Sequence, residues 1–191
     1  MLRALPTLLF ALLTLAAGVQ AARPAHAQAS AQFALADFRA PDVDSVDGFR
    51  FSILFGELAS MRGLDLGLVS LSKSAQLEGV AFVFGGTWIT GSSEGAAISM
   101  INIHEGSARG LMAGMVNIVD SLEEGVNFGM INFTRGTSMV DLSAVGISQR
   151  SQVQIGMVNV TKHIETVQIG LLNVAENGIF PVFPIFNVPK K

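Results

Sequence analysis

The chain has no cysteine, no tyrosine and a single tryptophan, and charged residues make up only 14% of its 191 positions. Each shortage excludes something. Without cysteine there is no disulfide and no lipid-bearing thiol, so the fold must rest on packing and backbone hydrogen bonds alone. No run of Lys or Arg exists, which removes the basic footprint a nucleic-acid partner would need. With no Tyr and only Trp88, the aromatic girdles of an outer-membrane barrel would be thin, although 13 Phe soften that point. What is abundant is apolar: hydrophobic residues are 50% of the chain, high for a soluble globular protein.

Residues 1–27, MLRALPTLLFALLTLAAGVQAARPAHA, read as a cleaved signal peptide. Arg3 supplies the positive start, Leu8 to Ala17 the apolar core, and Ala25-His26-Ala27 the small residues of a cleavage site. The apolar run is too short for a spanning helix of about 20 residues. Removing this leader leaves 10 basic against 15 acidic residues, net −5. Residues 28–47 are small, acidic and interrupted by Pro41, which predicts a flexible acidic lead-in or a cap. The expected location is therefore outside the cytoplasm: periplasm, cell surface or outer membrane.

From residue 48 the chain repeats. The nine-residue frame Gly-Leu-Asp-Leu-Gly-Leu-Val-Ser-Leu at 63–71 can be laid on Gly48, Gly79, Gly95, Gly110, Gly125, Met139, Gln152, Thr166 and Phe180. The steps between starts are 13 to 16 residues, and such a period overrides element-by-element guessing. Position two holds Leu64, Val80, Val126 and Val153; position four Phe82, Phe128, Ile155 and Ile169; position six Leu68, Met100, Met130 and Leu171. Positions three and five are polar or small, so the pattern alternates with period two, as in a strand with one buried face. We expect positions two, four and six to face inward. The phase then slips between six and seven, which requires a bend or bulge. Position eight carries Asn102, Asn117, Asn132, Asn159, Asn173 and Asn187. Connectors of five to seven residues hold nearly all the charge, with Gly, Ser and Asn beside them.

These features predict an all-β repeat domain over 48–188 followed by a charged tail at 189–191. The expected form is a parallel β-solenoid of about ten coils of 13–16 residues. In such a stack, like positions lie about 4.8 Å apart and the asparagines form a hydrogen-bonded column. The coil at 48–56 reads as the N-terminal cap. The last unit, FPVFPIFNV, carries Pro181 and Pro184 with Pro189 just beyond, so it templates poorly and reads as the C-terminal cap. The alternative is an antiparallel outer-membrane β-barrel with a pore or transport-related role, since alternating strands after a signal peptide suit it as well.

The units GLDLGLVS (63–70), VQIGMVN (153–159) and VQIGLLN (167–173), with the tail FPVFPIFN (180–187), resemble a family of exported bacterial surface-repeat proteins. Its members are built from tandem G-[LV]-Q-[LI]-G-[LM]-[VI]-N units closed by a Phe/Pro tail. The opening GFRFSILFGE (48–57) is similar to that family's first unit, and the likeness covers about 48–188. Departures occur at 79–99, where Gly85-Gly86-Thr87 replaces the Val-Asn pair, and at 139–147, where Gly146 replaces Asn. The resemblance implies export and repeat architecture and carries over no catalytic residue.

A search for chemistry returns little. His104 and His163 stand in connectors beside Glu105 and Glu165 and read as solvated turn residues. DVDSVDG at 42–48 has its third Asp one residue late for a calcium loop, and position 54 is Leu. The glycines of 79–95 lack the Lys of a phosphate loop. The methionines of position six read as core filler rather than a soft metal site. No cofactor, metal or catalytic set can be assembled, and no catalytic activity is expected. Trp88, in the irregular coil, is the candidate contact residue. The chain reads as an exported cell-envelope repeat protein with a structural or surface-interaction role. Its partner would be an envelope or extracellular one, outer-membrane association included.

Overall fold

A computed structural model describes residues 28–190; the expected signal peptide and Lys191 lie outside the described residues. There are five strands: β1 (Gln28–Leu35), β2 (Phe38–Ala40), β3 (Ser45–Ile89), β4 (Ser93–Ala175) and β5 (Val182–Asn187). The great length of β3 and β4 means winding, not extension. Each residue pairs with the one a turn later, as in Leu77 with Ser93, Phe82 with Ile98 and Trp88 with Ile103, all parallel. The same offset recurs inside β4, where Gly125 lies over Gly110 and Gly170 over Gly156. The molecule is a parallel β-solenoid. Parallel stacking of successive turns is incompatible with the antiparallel barrel, and that alternative falls.

Ten uniform coils are not what the chain makes. One unbroken column, Gly48, Gly63, Gly79, Gly95, Gly110 and Gly125, runs through five turns. Each of these glycines has φ between 110° and 141°. A Cβ there would overlap a backbone carbonyl one turn back, so only glycine fits. Beyond Gly125 the column passes to Met139, Gln152 and Thr166, and the steps between starts shorten to 13 or 14 residues. The last unit is not a parallel coil at all: β5 pairs antiparallel with β4, from Gln168–Asn187 to Val174–Val182. Reversal closes the edge, and Phe180, Phe183 and Phe186 pack over it with ring centroids 5.1 and 5.7 Å apart.

The other end is closed by residues expected to be a flexible lead-in. β1 pairs parallel with 45–53 of β3, and β2 folds back antiparallel on β1. The coil at 48–56 is thus covered, and the cap is β1 and β2.

The largest correction concerns which way the repeat faces. Positions two, four and six point outward, not into the core: Leu68, Phe84, Met130 and Leu171 are exposed. The methionines of position six, read as core filler, are outside with them. Positions three and eight point inward instead, and Asp65, Asn117, Asn127, Asn132, Gln154 and Gln168 are buried. The apolar core is instead supplied largely by connector residues, among them Leu58, Met61, Leu77, Ile89 and Leu122. Amide side chains and glycines fill the space beside it, and the amides of the Asn102–Asn117–Asn132 column bond to one another. Outside, like side chains stack at the strand spacing and shield one another's flanks, which is why Leu66, Ile98 and Leu111 are only partly exposed.

Candidate functional site

The asparagine column explains the spacing Gly-x-x-Asn. Asn102 Nδ2 donates to Asn117 Oδ1 at 2.7 Å and Asn117 Nδ2 to Asn132 Oδ1 at 2.9 Å. The second amide hydrogen of each goes to a backbone carbonyl of the next turn, Ala113 and Phe128, both at 2.9 Å. Those carbonyls belong to position four, just before the corner where the strand phase slips. One amide thereby satisfies the corner and locks the register of two turns. Glycine at position five makes room, since a Cβ at Gly114 or Gly129 would come within 3.0 Å of the asparagine amides.

Where Gly146 replaces Asn, the column bends to Asp141: Asn132 Nδ2 donates to its Oδ1 at 2.7 Å. It resumes with Asn159 donating to Asn173 at 2.8 Å. Asn187 is buried but bonds the Phe180 carbonyl rather than Asn173, because β5 is reversed. Near the other end, an extra residue at Gly85-Gly86 shifts the register, and Thr87 takes the place of Asn, donating to Asn102 Oδ1.

The interior also holds charge. Arg50 forms two hydrogen bonds to Asp65, Nε to Oδ1 at 2.8 Å and Nη2 to Oδ2 at 2.6 Å, with both residues buried. Burial pushes the Asp141 carboxyl up to about 6, against hydrogen bonds from Asn132 and Ser143 that favour its charged form. His104 is not the solvated turn residue expected. It is buried at 1% exposure, and burial lowers its pKa from the ordinary value. Among the described residues, His163 is the histidine at the surface. These groups are sealed inside the coil, where no substrate can reach them.

The outside divides sharply. Positions one to six form one side, positions seven to nine a second, and the two meet at a corner where consecutive residues both face out. Leu68 and Val69, Met100 and Ile101, and Met130 and Ile131 are all exposed there. In an alternating strand only one of two neighbours can point outward, so this pairing makes a convex apolar ridge. Trp88 lies on the second side, paired with Ile103 in the next turn and half-buried, with Lys73 Nζ 5.2 Å from its ring.

Apart from Lys73 over Trp88, outward charge lies on the third side, formed by the connectors. Within positions one to nine of every unit the charged residues are Arg50, Asp65 and Asp141, and all three are buried. On the connectors, opposite charges pair across successive turns: Arg62 with Glu78 at 2.7 Å, Lys73 with Glu57 at 2.8 Å and Arg135 with Asp120 at 2.7 Å. Arg109 pairs with Glu123 at 3.2 Å in the same way. In the acidic stretch after β2, Arg39 bridges Asp42 and Asp44, so those carboxylates face a guanidinium rather than an ion site. Among the described residues no three His, Cys, Asp or Glu gather as a metal site would require.

The ridge residues are what the sequence reading missed, having placed them in the core. The signal was the phase slip itself, because two adjacent apolar residues in an alternating pattern put one of them outside. Compared with family models, curated proteins and solved structures, the chain matches none.

Proposed function

We propose that this is an exported cell-envelope protein that works by surface interaction, as a scaffold and not as a catalyst. The observation that carries the reading is the inversion of the coil: amides and an ion pair inside, apolar side chains presented outside. A soluble monomer rarely exposes a contiguous apolar patch beyond a few hundred Å², and larger ones mark interaction sites. The charged groups at the centre are engaged within the coil, Arg50 with Asp65 and Asp141 with Asn132, and His104 is buried away from solvent. The signal-peptide pattern of 1–27 and the likeness of the repeat unit to exported surface-repeat proteins support the envelope as the place of action.

The test is fractionation of cells expressing the whole chain, with the mass of the product measured. The expected product lacks the leader and is found in the envelope, periplasm or medium. An unprocessed chain in the cytoplasm overturns the reading.

A further inference from the structure

We propose that the apolar ridge inserts among the acyl chains of a lipid bilayer, with the solenoid lying along the membrane and its charged connector side facing water. This deepens the reading above and rests on it.

Four observations converge. First, the ridge carries the most exposed apolar side chains of the regular turns: Val69 is 60% and Leu171 is 71% exposed. Second, the backbone there is held in a conformation that argues against accident. Leu54 and Val69, both at position seven, have φ of 65° and 46°. Bulky and β-branched residues are rare in this left-handed region, and Asn or Gly would sit there with less strain. Strain kept at an exposed site is a pointer to use.

Third, charge is segregated. Outward charge meets the apolar sides only at Lys73, over Trp88 and paired with Glu57, and the charges opposite are matched to each other across turns. A charged partner would find nothing to pair with on the ridge, whereas hydrocarbon needs nothing. Fourth, the backbone hydrogen bonds run along the axis from turn to turn, so the sides present few unmet backbone groups to lipid. The two ends are covered by β1 with β2 and by β5.

Geometry favours a bilayer over a second copy. The two apolar sides meet at a convex edge, so a rigid partner could cover one side and would leave the other wet. Acyl chains conform to both. The arrangement is that of an interfacial amphipathic element, built on a solenoid instead of a helix.

The test uses the exported protein and phosphatidylcholine vesicles with and without brominated acyl chains. We expect co-flotation that persists at high salt, and quenching of Trp88, which is the single tryptophan and lies beside the ridge. The double variant Leu54→Asn, Val69→Asn should cut vesicle binding about tenfold or more. Its melting temperature should stay the same or rise, because Asn relaxes both left-handed residues. Leu171→Gln, in the parallel coil farthest along the chain, should also weaken binding, and Arg109→Gln on the connector side should not. Absence of flotation, parental binding by the double variant, or concentration-dependent dimers that ignore vesicles would each overturn the proposal. Envelope location without flotation overturns the ridge and keeps the export reading; flotation of a chain found unprocessed in the cytoplasm does the reverse.

Discussion

The insides of the two halves of this solenoid differ more than their outsides. From Val43 to Leu122 the interior holds an apolar cluster that includes Met61, Leu77, Val83, Ile89, Met112 and Val119. Position three, which holds Ala81, Ala97 and Met112 in that half, from Asn127 onward holds Asn127, Asp141, Gln154 and Gln168, with Gln168 Nε2 donating to Gln154 Oε1 at 2.7 Å. Yet the repeat frame, the ridge and the connector charges run through both. The shape is therefore not set by what fills position three. It is set by the backbone ladder, by Gly at positions one and five, and by the corner amides. An apolar interior tolerates small changes of volume at a graded cost, whereas a polar interior fails when one partner is removed.

The largest effect expected is where charge intrudes on the apolar half. Asp65→Leu strands Arg50 at 0% exposure, with its Nη1 already lacking a hydrogen-bond partner and Ser72 losing its acceptor. The cost should be about 3–5 kcal/mol, read from urea unfolding. The double variant Arg50→Met, Asp65→Leu should recover most of it, because two apolar side chains suit this half. If the double variant is as unstable as the single, the pair is a net source of stability and the contrast between the halves is weaker than drawn.

Asn132→Leu tests the boundary between the halves and should cost about 3 kcal/mol. Asn132 accepts from Asn117 and donates to Asp141, so its loss leaves one Asn117 amide hydrogen unpaired and Asp141 Oδ1 with Ser143 alone. The longer side chain would also press on Gly129, whose position admits no Cβ beside this amide. Glu123→Gln is the control: its exposed pair with Arg109 should be worth under about 0.5 kcal/mol. Equal tolerance at the two positions would mean that the amide column does not hold the turns.

Much of the fold was readable from residues alone, and the reason is periodicity. Gly63 and Gly79 recur because a turn there needs φ above zero next to a carbonyl. Asn102, Asn117 and Asn132 recur because stacked turns need an acceptor and two donors at one corner. What was not readable was the sense of the faces. Alternation fixes that Leu68 and Asp65 point opposite ways, but not which is inside; the usual assumption places the apolar residue there. Here the apolar core is drawn largely from connector residues such as Leu58, Leu77 and Leu122. Two sequence signals pointed the other way, the opposite charges of Arg50 and Asp65 at one position and the adjacent apolar pair at six and seven. The ends were legible only in part, since pairing of β1 across a turn leaves no local pattern in 28–35.

Proton linkage gives the finest comparison, because the halves should respond to pH with opposite signs. In the polar half, Asp141 holds its proton up to about pH 6 in the folded chain, against an ordinary 3.8. The native state then binds more protons than the unfolded one across this window. Stability is greatest below it, falls as pH rises through it, and stays lower above. In the apolar half, buried His104 resists protonation, so its contribution is present above its ordinary 6.5 and is lost as pH falls below that value. Asp141→Asn should therefore raise stability at pH 7.5 by about 2–3 kcal/mol, since each tenfold weakening of the acid on folding is worth about 1.4 kcal/mol. It should also leave a profile that declines only toward acid. His104→Leu should leave the reverse, a profile that declines only toward neutral pH. Thermal unfolding of the two variants from pH 4.5 to 8 separates the two slopes. Parallel profiles for both would show that the carboxyl is solvated in the folded chain and that the polar half is open to water.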